Sequence, residues 1–511
     1  MVVWLSVVGA MLLFSVADTD FKLMAFAAVL VLGVVTFAGA GIARGPGSAH
    51  RAFAAGLLAA GLISALLGLI QYYGFAEHLE PLTTAPELGQ AYGNLRQRNQ
   101  FATLLNMALV ALLWLYASTF DRGWRRALSG AGLLLLVGQA ASTSRTGVLQ
   151  LAVIAGLAVF MARRERGERR REPRAHASTT ASEFGFRLPP PWLLLCLIPL
   201  YFAIGWMLPH LAGGGVEGIA QRLREGAPPG HSRLVLWSNV VALIGQHPFV
   251  GWGWGELSFA HYMTLYEGPR FVEILDNAHN LPLHLAVELG VPAALLIGGG
   301  FAWLVIAARP WRERDPMRLM AWSVLGMIVL HSLLEYPLWY GPFQLVFGLC
   351  LGMLWPASTS TSAAAPAVSM RTMPKRPLQQ LLPAAVAMLL ITAIGYAAWD
   401  YTRISQIYLE RDHRLAAYRD GTLAKIRPSW LFANQVRFAE LTLTPLTARN
   451  AAAVHALAEQ ALHFSPEPRV IVKLIDSAKL LELDDEVAAQ TTRFKIAFPD
   501  DHARWVAGKL P

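Results

Sequence analysis

The chain has 511 residues, 55% hydrophobic and only 15% charged, with a mean hydropathy of +0.41. Soluble proteins carry about a quarter charged residues, so a wholly water-soluble chain is excluded. The net charge of +9 would suggest a nucleic-acid partner on a soluble domain, but in a membrane chain basic residues first set orientation.

Apolar stretches of a length to cross about 30 Å of hydrocarbon recur at roughly 2–17, 22–41, 52–73, 99–119, 128–142, 147–162, 191–208, 281–307, 318–334, 342–356 and 379–399. They predict about eleven transmembrane helices. The first reads as a retained span, since neither a basic leader nor a clear cleavage site accompanies it. Alternation puts Arg44 and Arg51, Arg122, Arg125 and Arg126, the run from Arg163 to Arg187, Arg309, Arg312, Arg314 and Arg318, and Arg371, Lys375 and Arg376 on one side. That is twenty basic residues against eight on the other, leaving the C-terminal region aside. The richer side is cytoplasmic, which places the N-terminus inside and the C-terminus outside. The run MARRERGERRREPRAHAS (161–178) has the composition of a nucleic-acid or anionic-lipid patch, but between two spans it reads as a topological anchor. Cys196 and Cys350 lie in apolar stretches and read as small core hydrophobes.

The expected fold class is all-α: a polytopic helical membrane protein with a large outer loop and a C-terminal outer helical domain. Its expected parts are N-terminal spans (1–208), the loop (209–280), C-terminal spans (281–399) and a soluble helical region (400–511). The Ala/Leu pattern of NAAAVHALAEQALHF (450–464) has helical period.

Ionisable residues at a membrane boundary are costly, so their clusters mark candidate sites. The richest cluster is HSRLVLWSNVVALIGQHPFVGWGWG (231–255) with DNAHNLPLHLAVELG (276–290). Residues 234–245 have the pattern of a surface-lying amphipathic helix. HPFVGWGWG lacks the strand and glycine spacing of a nucleotide loop, and Trp252 and Trp254 read as interface anchors. His279 and Asn280 stand just before a helix. A histidine there serves as a general base near neutral pH or is simply bonded to the backbone at the helix start. His284 and Glu288 share a helix face, either orienting a site or satisfying one another. No metal-ligand spacing emerges among the histidines, so neither a metal nor a cofactor is expected.

Arg145 in ASTSRTG, Arg233 in HSRLVLW, and Arg96 and Arg98 in YGNLRQRNQF fall on the side depleted of positive charge. Any one of them reads as a snorkelling side chain. Several with a histidine predict an anionic ligand, because guanidinium matches phosphate oxygens in a bidentate fork. HSLLEYPLWYG (331–341) adds His331 and Glu335 at an outer helix end, then an aromatic turn suited to an interface belt or to a floor for sugar or polyprenyl.

Three stretches carry a family resemblance: YGNLRQRNQFATLL (92–105), the cluster spanning 232–290, and HSLLEYPLWY (331–340). In that order they resemble the bacterial O-antigen ligase and polymerase superfamily, and within it the protein O-oligosaccharyltransferases that glycosylate pilins. The resemblance implies a multi-pass protein of the bacterial inner membrane with its active site on the periplasmic side. It implies en bloc transfer of a glycan from a polyprenyl-diphosphate-linked oligosaccharide to Ser or Thr of a periplasmic, pilin-like acceptor, with membrane lipids but no nucleic acid as further partners.

Matched motif to motif, His279 takes the place of the family's essential histidine, and Arg145 and Arg233 that of its arginines. His279 is then the expected general base. The arginines stabilise the departing diphosphate without a metal, and direct displacement inverts the anomeric centre. Arg96, Arg98, Asn99, Asn280, His331 and Glu335 are expected to bind donor or substrate. Asp276, Glu273, Glu288 and Glu335 compete as carboxylate partner of the histidine. Alternatives are a lipopolysaccharide O-antigen ligase, an O-antigen polymerase, and a lipid-linked glycan transporter or flippase, whose ionisable groups belong near the membrane midplane.

Overall fold

A computed structural model describes residues 19–79, 82–171, 186–212, 230–355 and 377–509, with Val216, Gly218 and Arg224 as isolated positions. In chain order its helices begin with α1 (Thr19–Arg44), α2 (Gly47–Tyr72), α3 (Arg98–Ser118), α4 (Arg122–Ala141), α5 (Arg145–Arg171), α6 (Pro191–Leu195) and α7 (Leu197–Leu211). Next come α8 (Arg233–Gln246), α9 (Leu257–Met263), α10 (Leu281–Leu289), α11 (Val291–Ala294), α12 (Gly300–Ala308), α13 (Pro316–Ser332) and α14 (Gly341–Met353). The last are α15 (Pro377–Ser405), α16 (Thr422–Ile426), α17 (Ala433–Leu443), α18 (Ala451–Phe464), α19 (Pro468–Leu480), α20 (Asp484–Ala497) and α21 (Pro499–Val506). Among the described residues there is no strand, as the all-α expectation requires.

Among the described residues, five helical segments are long and apolar enough to cross a membrane: Gly47–Tyr72, Arg98–Ser118, Arg145–Gly167, Pro191–Leu211 and Val291–Arg312. Gly341–Met353 is a shorter apolar helix, and Val31–Arg44 is an apolar part of α1. The stretches 22–41 and 379–399 lie within α1 and α15, while three others differ for local reasons. α4 carries Arg122, Arg125 and Arg126 in its opening turns, and α13 has only 17 residues. The stretch 281–307 is cut at Gly290, whose φ of 86° ends α10. The stretch 2–17 lies outside the described residues.

The chain divides into two compact units. One comprises Val35–Ala227 and Val305–Thr359. Its central element is α3, buried on nearly every face, which is how a helix surrounded by other helices reads. α2 turns Ala54, Gly61, Ala65 and Gly68 inward, small residues that let helix backbones approach closely. Asn99, Thr103 and Asn106 form a polar stripe along α3, spaced to share one helix face.

The other unit comprises Met1–Val34, Pro228–Leu304 and Ser360–Pro511. α17 to α20 build its helical core from Phe438, Leu441, Val454, Leu462, Val470, Ile471, Ile475 and Phe494. Tyr262 of α9 belongs to the same core. The opposite face of α9, Leu257 and Ala260, joins a second core with Leu236, Val240 and Leu243 of α8, and with Phe271, Leu275, Ala278 and Val287. One face of α8 is thus spent on protein packing while Leu234 and Val241 stay exposed, and α9 is shared by both cores.

Candidate active site

Arg98, Arg145 and Arg233 occupy the same structural position. Each is the first residue of a helix whose preceding residue caps it through a side chain. Gln97 accepts from Gln100 N at 2.6 Å, Ser144 from Gly147 N at 2.9 Å and Ser232 from Val235 N at 3.3 Å. No acidic residue lies in the first turn of α3, α5 or α8. Helix N-termini are the positive ends of the macrodipole and disfavour cations by about 0.3–1 kcal/mol each, whereas with their free N–H groups they favour phosphate. Arg145 is exposed, while Arg98 and Arg233 are half-buried.

Backbone strain marks the same motifs. The non-glycine residues with positive φ among those described are Arg96 (55°), Thr143 (48°), His279 (50°), Arg309 (52°) and Glu482 (59°). Three of the five lie in the arginine and histidine motifs picked out from sequence. Left-handed backbone at residues other than glycine costs on the order of 1–3 kcal/mol and gathers at functional sites.

In the unit containing α3, the structure brings Asn99, Glu335, His331 and the Arg145 loop together. Asn99 Nδ2 donates to Glu335 Oε1 at 3.1 Å, and Ser144 Oγ donates to Asn99 Oδ1 at 2.6 Å. The Thr103 hydroxyl lies 2.9 Å from Asn99 O, 3.0 Å from Gln150 Oε1 and 2.9 Å from His331 Nδ1. The first two are acceptors and the hydroxyl has one proton, which favours a His331 tautomer protonated at Nδ1. Asn106 Nδ2 also donates to Gln150 Oε1 (3.1 Å), and Gln150 Nε2 to Met327 O (2.9 Å). His331 Nε2 is fully buried without a hydrogen-bond partner. Thr103, Ser144, Gln150 and Asn106 were not singled out by sequence reasoning; the polar stripe in an apolar helix was the available signal.

A cavity of about 500 Å³ in this unit is lined by His50, Arg51, Trp114, Ser118 and Asp315 among others. It lies at the C-terminal end of α3, away from Asn99, and does not mark the candidate site.

In the other unit, the loop before α10 is held from three directions. Trp237 Nε1 donates to Ala278 O at 3.1 Å, and His279 N donates to Asn277 Oδ1 at 2.8 Å. Ala278 N faces His284 Nδ1 at 3.4 Å, so the His284 proton sits on Nε2, 3.3 Å from Glu288 Oε2. His284 and Glu288 are both buried and satisfy one another beneath the loop. Asn280 caps α10 by accepting from Leu283 N at 3.1 Å, a standard N-cap bond. Arg233 lies one turn before Trp237 on the same face of α8, which ties it to the element that grips the residue before His279.

HPFVGWGWG clamps the end of α10 backbone to backbone. Trp252 N donates to Val287 O (2.9 Å), Gly253 N to Glu288 O (3.0 Å) and Val291 N to Pro248 O (2.8 Å). A Cβ at Gly251 would collide with the Glu288 backbone, and one at Gly290 with the Phe249 carbonyl. The Trp252 indole donates to Leu243 O at 3.0 Å, and Trp254 meets His284 edge-on at 6.2 Å. Both tryptophans therefore serve protein packing.

The four competing carboxylates separate. Glu335 bonds Asn99, Glu288 pairs with His284, and Glu273 faces His231 at 3.5 Å. Asp276 keeps an exposed edge, but the protein around it desolvates the carboxyl and pushes it above its usual range; nearby His279 pulls the other way. His284 opposes the rise as well, to a smaller extent. His261, by contrast, is structural: burial lowers it to about 3, with Nδ1 2.8 Å from the Tyr266 hydroxyl and Nε2 3.1 Å from Phe271 O.

Fold and candidate site together describe an all-helical membrane protein with arginines at helix starts and a strained histidine beside a helix cap. Comparison with known proteins agrees with the resemblance drawn from the motifs. The O-antigen ligase family model matches residues 130–298, the protein glycosylation ligase model 91–116, and the C-terminal model of the virulence factor membrane-bound polymerases 319–510. The chain is similar to the general O-oligosaccharyltransferase of Acinetobacter baylyi, 24% identical over 371 residues, covering 69% of this chain and 60% of the relative. It is also similar to the ComP-specific O-oligosaccharyltransferase of the same organism, 27% identical over 125 residues, or 24% of this chain and 23% of the relative. The chain thus matches about 60% of the first relative's length.

Proposed function

We propose that the chain is a membrane glycosyltransferase of the O-oligosaccharyltransferase type. It moves a preassembled glycan from a polyprenyl-diphosphate carrier to a Ser or Thr hydroxyl of a pilin-like periplasmic protein. The observation that carries this reading is the shared placement of Arg98, Arg145 and Arg233 at capped helix starts without acidic residues in the first turn. A cation at the positive end of a helix destabilises the free protein, and a phosphate group relieves that cost.

In this reading His279 takes the proton from the acceptor hydroxyl, a poor nucleophile until deprotonated. Asp276 is its electrostatic partner. Negative charge builds on the departing diphosphate as the anomeric bond breaks, and Arg233 neutralises it as a fixed cation. Arg145, at the start of α5, is proposed as an anion-binding group of its own unit. Direct attack by the hydroxyl inverts the anomeric centre and needs no metal. Arg96, Arg98 and Asn99 are proposed to support the donor. Glu335, His331 and Asn280 hold the flanking segments in shape. The proposed setting is the inner membrane, with the chemistry on the periplasmic face.

A second reading, transfer to a lipid A-core sugar, is favoured by the O-antigen ligase match over 130–298. The test is purified chain in proteoliposomes with lipid-linked glycan, offered a pilin-like protein or lipid A-core. Glycan on the protein supports the proposal; glycan on lipid A-core alone supports the second reading. Movement of the lipid-linked donor across the bilayer without transfer to either acceptor contradicts both.

A further inference from the structure

The C-terminal helices hold a side-chain cluster that the transfer chemistry does not use. His455 of α18, Glu459 one turn later and Glu486 of α20 bring one ligand atom each within 4.8 Å of one another. His455 Nε2 is 3.4 Å from Glu486 Oε2 and 3.8 Å from Glu459 Oε1. On the far side of the ring, Nδ1 is 3.2 Å from Ser477 Oγ of α19. The Ser477 hydroxyl donates its proton to Leu474 O at 3.0 Å, so at Nδ1 it accepts, and Nδ1 carries the proton. In the neutral ring, Nε2 then points a bare lone pair at two carboxylates. That is repulsive unless a positive charge lies between them.

We propose that His455, Glu459 and Glu486 form a binding site for a divalent cation of the Zn²⁺ class, fastening α18 to α20. Zn²⁺ takes His nitrogen and carboxylate oxygen at about 2.0–2.2 Å in tetrahedral geometry, which sets its ligands about 3.4 Å apart. The separations of 3.4 and 3.8 Å fall close to this, and the exposed Glu459 side chain is free to close the remainder. Ser477 is the positioning group that fixes the ring tautomer, as the outer partner of a metal-bound histidine does. The His455 ring is 10% exposed and Glu459 59%, so the ion has a wall of protein on one side and solvent on the other, leaving the fourth position to water. The spacing escapes a motif search because His455 and Glu459 lie on one helix while the third ligand comes from another.

The test uses the full purified chain, stripped with EDTA and titrated with ZnCl₂ at neutral pH, reading bound zinc and the thermal midpoint. The expected result is one zinc per chain at micromolar concentration, with a midpoint that rises on addition and falls again with EDTA. The near-isosteric variants His455→Gln and Glu486→Gln are expected to lose the bound zinc and the rise while keeping wild-type helicity. Ser477→Ala is expected to weaken binding about 10- to 100-fold. No zinc uptake by the wild type, or uptake unchanged in both ligand variants, overturns the proposal. It would leave a protonated His455 paired with two glutamates as the account of the cluster.

Discussion

Asn99 donates from Nδ2 to Glu335 Oε1 at 3.1 Å, joining the first turn of α3 to a segment 236 residues further along the chain. Through its Oδ1 the same amide takes the hydroxyl of Ser144, the residue before Arg145. Glu335→Gln keeps an oxygen for Asn99 and is expected to fold and melt as the wild type does. Asn99→Ala removes one hydrogen-bond donor from the buried Glu335 carboxylate and one acceptor from the buried Ser144 hydroxyl, and is expected to cost about 1–3 kcal/mol of stability. Thermal melts of the two variants in detergent check the contrast.

His279 holds a left-handed backbone with φ of 50°, which separates its structural cost from its chemistry. His279→Gly relieves the strain and is expected to melt at or above the wild-type temperature while losing transfer activity. His279→Val puts a β-branched residue in a conformation it adopts poorly and is expected to melt lower. Paired melts and transfer assays report both.

Much of this site could be read in the sequence. Ser144 and Ser232, of a residue type that caps helices, stand before the helix starts at Arg145 and Arg233, whereas Gln97 before Arg98 gives no such signal, and the placement of Asn280 before LPLHLAVELG already reads as a helix entrance. The role of HPFVGWGWG could not be read, because its contacts run from backbone to backbone and only its glycines mark a tight approach. Nor could the double duty of α9. LSFAHYM is short and apolar on both sides, and nothing local says that Tyr262 joins a core built mostly beyond residue 430. The stripe of Asn99, Thr103 and Asn106 was visible, but its partners Gln150 and His331 lie on other helices.

Gly290→Ala tests the clamp. The added methyl meets the Phe249 carbonyl, at a φ of 86° that alanine resists. The expected loss is about 2–3 kcal/mol, together with faster amide exchange at Trp252, Gly253 and Val291, whose N–H groups make the clamp.

Tyr262 contributes its ring to the helical core and its hydroxyl to Gln490 Oε1 at 3.1 Å. Tyr262→Phe is expected to cost about 1 kcal/mol. Tyr262→Ala opens a cavity and is expected to cost about 3–5 kcal/mol, freeing α9 from α18 and α20. Chemical denaturation of the two variants measures the difference.

His261 gives the same region a pH dependence. Burial, reinforced by Arg270 and opposed by the Phe271 carbonyl, lowers it to about 3, so the folded loop prefers the neutral ring. Its stabilising contribution is complete above the ordinary histidine value near 6.5 and is lost as pH falls from there toward 3. Exchange of the α9 amides is expected to accelerate across that window in the wild type and to lose most of its pH dependence in His261→Gln.

The measurement closest to the central claim is turnover of His279→Ala in proteoliposomes supplied with purified lipid-linked glycan and a pilin-like acceptor. The expected result is a loss of about 10²- to 10⁴-fold in transfer, with an unchanged melting temperature and undiminished binding of the donor. Wild-type turnover by a well-folded variant would contradict it.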